Sequence, residues 1–87
     1  MRIGKRGDWI AASVGAEIVM MSVIEGKYLG LNEVAARIWS LLDMPQSPDT
    51  LCDTLVEEFD VTPETCRAEI DAFIADLDSH RAIEMIP

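Results

Sequence analysis

A chain of 87 residues that is 49% hydrophobic and 26% charged has enough apolar material for one core and too much for a disordered segment. At this size folding removes only ~60–65% of the surface the unfolded chain exposes, leaving little material for a deep enzyme cavity and a thin stability margin. The net charge of −9 is unevenly placed: residues 1–42 carry a net +1 and residues 43–87 a net −10, a balance that repels nucleic-acid phosphates and anionic membranes and favours positively charged partners.

The chain divides at Asn32. Before it, glycine punctuates apolar stretches of strand character. Trp9 to Ala12 reads as a short strand ended by Ser13-Val14-Gly15. Ile18 to Ile24, rich in β-branched residues and methionine, reads as a better-buried strand. Glu25-Gly26-Lys27 is a tight turn in which glycine supplies the unusual backbone angle. Tyr28 to Leu31 returns as a third strand, so three strands in succession form an antiparallel meander.

After Asn32 the spacing is helical. Asn32 is a good N-cap, and Val34, Ala35, Ile38, Leu41 and Leu42 recur at the interval of one buried face, widened by Trp39. Asp43 to Gln46 breaks that helix. Ser47-Pro48-Asp49 caps the next, which carries Leu51, Leu55, Val56 and Phe59 on its apolar stripe. Thr62-Pro63-Glu64 repeats the signature ahead of a long third helix with Cys66, Ile70, Phe73, Ile74 and Leu77 on one face. Ala82 to Ile86 is a short apolar tail, a strand or a clamp on the core. The expected architecture is a single α+β domain over residues 1–87: a winged helix-turn-helix arrangement whose three-stranded antiparallel sheet comes first and three helices follow.

No constellation for catalysis is expected. The one histidine, His80, falls at the end of the third helix, where a favourable cation is its ordinary use. Cys52 and Cys66, with thirteen residues between them, sit on or beside apolar helical stripes and read as small hydrophobes. The acidic i, i+4 pairs Asp49/Asp53 and Asp53/Glu57 read as a solvated helix face. No phosphate-cradling glycine motif occurs. No catalytic residue, metal or cofactor is therefore expected. The apolar residues after Arg2, Lys5 and Arg6 are broken by Asp8, Ser13, Gly15 and Glu17, unlike a secretion signal. The expectation is a cytoplasmic protein with two reduced thiols.

The segment Lys27-Tyr28-Leu29-Gly30-Leu31-Asn32-Glu33-Val34-Ala35-Ala36-Arg37-Ile38-Trp39-Ser40-Leu41-Leu42-Asp43 resembles the PqqD-like family. Its members carry a similar turn of aromatic–x–x–Leu–Asn into a helix bearing Ile-Trp, then two capped helices. The likeness spans roughly residues 15–85. Within the family, this short, stand-alone, acidic form is most similar to the leader-binding proteins of lasso peptide gene clusters. The resemblance implies a non-catalytic adaptor that takes up the leader of a ribosomally made precursor peptide as an added strand. It implies delivery to a separate cysteine leader peptidase, with a cyclase acting afterwards. Carried onto this chain, the docking edge is Lys27, Tyr28, Leu29, Gly30 and Leu31. The facing helix, Arg67 to His80, contributes Glu69, Ala72, Phe73, Asp76 and Leu77.

The physics of the segment supports the same placement. An open strand edge offers unpaired N–H and C=O groups to an extended peptide, and residues 16–31 contain no proline. Gly30 admits a second backbone closely. Leu29, Phe73 and Leu77 are expected to wall an apolar pocket, with Glu69 and Asp76 rimming it for Lys or Arg. Tyr28 and Trp39 are expected in the core or the cleft floor. Two alternatives share the architecture: a generic interaction or dimerisation domain, and a winged-helix DNA-binding regulator. The second is disfavoured by Glu64, Glu69, Asp71, Asp76 and Asp78 on the helix that would read the groove.

Overall fold

A computed structural model describes residues 1–87. The elements are β1 (Arg2–Lys5), β2 (Ile10–Val14), β3 (Glu17–Ser22), β4 (Lys27–Leu31), α1 (Glu33–Leu41), α2 (Pro48–Glu58), α3 (Pro63–Ser79) and β5 (Ile83–Ile86). The expected meander is present as the antiparallel sheet β2-β3-β4, and the three helices follow it. No helix is long and apolar enough to cross a membrane.

The turns are set locally. Val14 pairs with Glu17 across the two-residue turn Gly15-Ala16, and Gly15 takes φ +65° there, a conformation glycine adopts without strain. Ser22 pairs with Lys27, so Val23 and Ile24 belong to a four-residue turn and not to the strand expected to include them. Asp8 holds that turn: its carboxylate accepts from the Ser22 hydroxyl at 2.6 Å and from the Val23 and Ile24 N–H groups, each at 3.1 Å. The hydrogen bond from Ser22, then those from the backbone, keep Asp8 below its ordinary carboxyl range. A depressed native value stabilises the fold above the ordinary carboxyl pKa, and that contribution is lost as pH falls through the native one. Asp8→Ala is therefore expected to lower the melting temperature at pH 7, with the gap from wild type closing on acidification below ~pH 4. Melts at intervals from pH 7 down to pH 2 check this; a gap that does not narrow over that range would assign the loss to packing.

All three helices begin as their caps dictate. The side chains of Asn32, Ser47 and Thr62 accept from the backbone N–H of Ala35, Thr50 and Thr65, and Pro48 and Pro63 occupy the first turns of α2 and α3. The helices close over one side of the meander. Met20 and Leu31 from the sheet meet Ile38, Trp39, Leu51, Leu55, Ile70 and Leu77 in a single core. Cys66 is buried in it, as expected, while Cys52 is half-buried at its margin. Outside the core, Glu58 accepts from Arg37 at 2.7 and 2.8 Å, linking α2 to α1.

The N-terminus departs from expectation. Arg2–Lys5 forms a strand that pairs antiparallel with β5 in a second, two-stranded sheet. The apolar tail is therefore a strand, and its partner lies about eighty positions away in the chain. Ile3, fully buried, also exchanges backbone hydrogen bonds with Gln46, so β1 is held between β5 and the α1–α2 connection. Lys5 packs 4.5 Å above the Trp39 ring and pairs with Asp43.

Candidate functional site

The meander leaves two edges free, β2 and β4. Which groups β4 presents follows from the register. Residues flanking a two-residue hairpin turn exchange both backbone hydrogen bonds, and the pattern then alternates. Glu17, Val19 and Met21 thus bond toward β2, and Ile18, Met20 and Ser22 bond toward Leu31, Leu29 and Lys27. On β4 this leaves Tyr28 and Gly30 with N–H and C=O groups directed at the open edge.

That edge runs into a cleft. β4 ends at Asn32, and Asn32 lines a cleft of about 330 Å³ between α1 and α3 with Val34, Ala35, Ile38, Glu69, Ala72 and Phe73. Its wall is apolar save for Asn32 and Glu69. The Asn32 carbonyl oxygen accepts the cap bond from Ala35 at 2.9 Å, which leaves its amide NH2 free to donate to a bound carbonyl. Glu69 is exposed and makes no ion pair or side-chain hydrogen bond. The neighbouring cation on α3, Arg67, is engaged by Asp49 and Asp71. The cleft mouth is therefore negative, and α3 has no free arginine or lysine with which to approach a phosphate backbone.

The residues singled out from sequence separate into three groups. Glu69, Ala72 and Phe73 line the cleft together. Lys27, Tyr28 and Gly30 are exposed along β4, and Leu29 is half-buried against the core. Three expectations are corrected. Leu77 is fully buried, so its side chain belongs to the core and walls no pocket. Asp76 continues the stripe of residues 69, 72 and 73 but stands beyond the cleft lining, beside the His80 cap, with its Oδ1 3.6 Å from His80 Nδ1. Tyr28 is 74% exposed and lies on the far face of the sheet from the helices, whereas Trp39 is core. Leu31 is also buried and its backbone bonds inward to Ile18, so neither its side chain nor its N–H faces the open edge. Val34, Ala35 and Ile38 were legible as one helical stripe; that the stripe is shared between core and cleft depends on where α3 crosses α1.

The thiols and the histidine do not form a reactive pair. Burial, with lesser contributions from the Cys52 thiol and Glu69, pushes the Cys66 thiol up to about 11. His80 is fourteen positions further along α3, a rise of about 21 Å, and its ring stacks edge-on to Trp9. No group of three His, Cys, Asp or Glu side chains is placed to hold a metal ion.

Together these features define a winged-helix-like α+β protein with an open edge strand leading into an apolar, negatively rimmed cleft. The chain belongs to the PqqD family: the model of coenzyme PQQ synthesis protein D matches residues 17–83. No protein of curated function matches the chain. Among solved structures, TbiB1 in complex with the TbiA(beta) leader peptide is similar, with 26% identity, a TM-score of 0.85, and coverage of 97% of this chain and 98% of that one. A lasso peptide synthetase B1 complexed with the leader peptide has the same fold, with 22% identity, a TM-score of 0.83, and coverage of 98% of this chain and 100% of that one.

Proposed function

We propose that this protein is a non-catalytic adaptor of lasso peptide maturation, acting in the cytoplasm, that binds the leader of a ribosomally synthesised precursor and hands it to a separate cysteine peptidase before a cyclase acts. The observation that carries this reading is the open β4 edge running into the cleft between α1 and α3. Strand addition suits such a site: backbone hydrogen bonds to Tyr28 and Gly30 give affinity, and side chains dropped into the cleft give selectivity. The TbiB1 structure, similar over nearly its whole length, holds a leader peptide. Phe73, Ala72 and Ile38 receive an apolar leader side chain, and Glu69 favours a neighbouring Lys or Arg.

The test uses the synthetic leader peptide of a lasso precursor, taken from any such gene found next to this one. Titrated into isotopically labelled protein, it is expected to shift the amides of residues 27–38 and 66–76 together. The protein alone is expected to leave the precursor's mass unchanged and to speed leader removal once the partner peptidase is added. Shifts confined to α2 would place the site elsewhere, and leader cleavage by the isolated protein would refute the adaptor.

A further inference from the structure

The meander has a second face, turned away from the helices, and its composition is unusual for a surface open to water. Strand alternation places Ile10, Ala12 and Val14 of β2, Val19 and Met21 of β3, and Tyr28 of β4 on that side. Antiparallel sheets that cover a core with one face normally present polar side chains on the other. Here the only charged residue on the outer face is Glu17, at one corner. Ile10 is 58% exposed, Val14 63%, Val19 41% and Tyr28 74%, and no helix or strand of the chain packs over them. These side chains contribute nothing to the core and do not line the cleft between α1 and α3.

We propose that this face is a self-association surface on which a second copy of the chain packs, sheet against sheet. Charge decides the occupant. The helical half carries a net −10, so a basic partner would be drawn to that half and away from the sheet. The half that holds the meander carries a net +1, and the face itself is nearly uncharged. An apolar, near-neutral patch is matched by another of the same kind, and a two-fold contact supplies one by symmetry. Packing through the sheets keeps the two acidic halves on opposite outer sides, where they repel least.

The size of the face sets the strength. Three strands and five residues span about 15 by 17 Å, well short of the ~800 Å² per partner of a stable interface. The dimer is accordingly weak, of the kind that forms only in concentrated solution. Two such sheets pack about 10 Å apart and leave every strand edge clear, so each β4 remains open and the pair accepts one extended peptide per chain. The contact therefore does not depend on the leader-binding reading.

Sedimentation of the purified chain from 10 μM to 1 mM tests it. The expected result is a mass rising from 9.6 kDa toward twice that value. Val19→Lys, at the centre of the face and outside the cleft, is expected to hold the protein at the monomer mass across the range. Its circular dichroism should match that of wild type. Ser13→Pro serves as a second variant, because Ser13 directs its backbone N–H to the open β2 edge. The proposal is overturned by a wild-type chain that stays monomeric at 1 mM or a Val19→Lys chain that still dimerises. Loss of the dimer in Ser13→Pro alone would overturn it too, by assigning the contact to edge pairing. So would a dimer that the leader peptide dissociates, because the hydrogen-bonding edge of β4 would then lie in the contact.

Discussion

Gly30→Pro is expected to weaken leader binding at least ~30-fold while leaving the protein folded. The N–H of Gly30 points to the open edge, so proline removes no bond to β3, and edge strands accept proline in that orientation. A Cβ at Gly30 meets nothing within 4 Å, and Gly30 is not among the residues with positive φ. A bound peptide, in contrast, loses a donor and finds the proline ring against its own carbonyl. The lost hydrogen bond and the stranded acceptor together cost about 2–4 kcal/mol, a ~30- to 1,000-fold loss of affinity. Leu29→Pro is the instructive control. Leu29 bonds inward to Met20, so proline there breaks the sheet itself and is expected to unfold the hairpin. Calorimetric titration with the leader, alongside circular dichroism, reads both. Affinity within threefold of wild type for a folded Gly30→Pro would remove the peptide from β4.

Leu77→Ala and Phe73→Ala are expected to part company although they lie one helical turn apart. Leu77 is fully enclosed, and truncating it costs about 2–5 kcal/mol, enough to lower the melting temperature of so small a protein by at least ~10 °C. Phe73 is half-buried at the cleft wall, so its truncation costs only about 1–2 kcal/mol of stability. Its loss should instead weaken the leader by about tenfold or more, as for an aromatic anchor. Thermal melts and titrations on the two variants separate core from cleft. If Leu77→Ala spared stability and removed binding, the assignment of the α3 face would be reversed.

The helices were legible because their signals are local. Asn32, Ser47 and Thr62 each reach only three residues along the chain to cap, and proline after two of them fixes the first turn. The meander was legible for the same reason, since consecutive strands pair through short turns. Its exact ends were not. Val14 stays in β2 and Val23 leaves β3 because Gly15-Ala16 and the Asp8 carboxylate decide where pairing stops. β1 was missed because Arg2–Lys5 has no periodicity of its own and becomes a strand only against residues 83–86. The site was half legible. Glu69, Ala72 and Phe73 share the stripe spacing that Leu77 nearly continues, and a 3.6-residue period cannot say which turn of α3 passes under the core and which over the cleft.

The pairing of β1 with β5 sets Arg2 directly opposite Ile86, so the first and last residues of the fold are about 5 Å apart. Geometrically the domain is a nearly closed ring. Its two ends can be joined by a few glycines and new ends opened at the exposed Met44-Pro45 bend, giving a circular permutant with the same core. The same closeness lets the whole unit be spliced into a surface loop of another protein without forcing that loop apart, so it can travel between polypeptides as a self-contained insert.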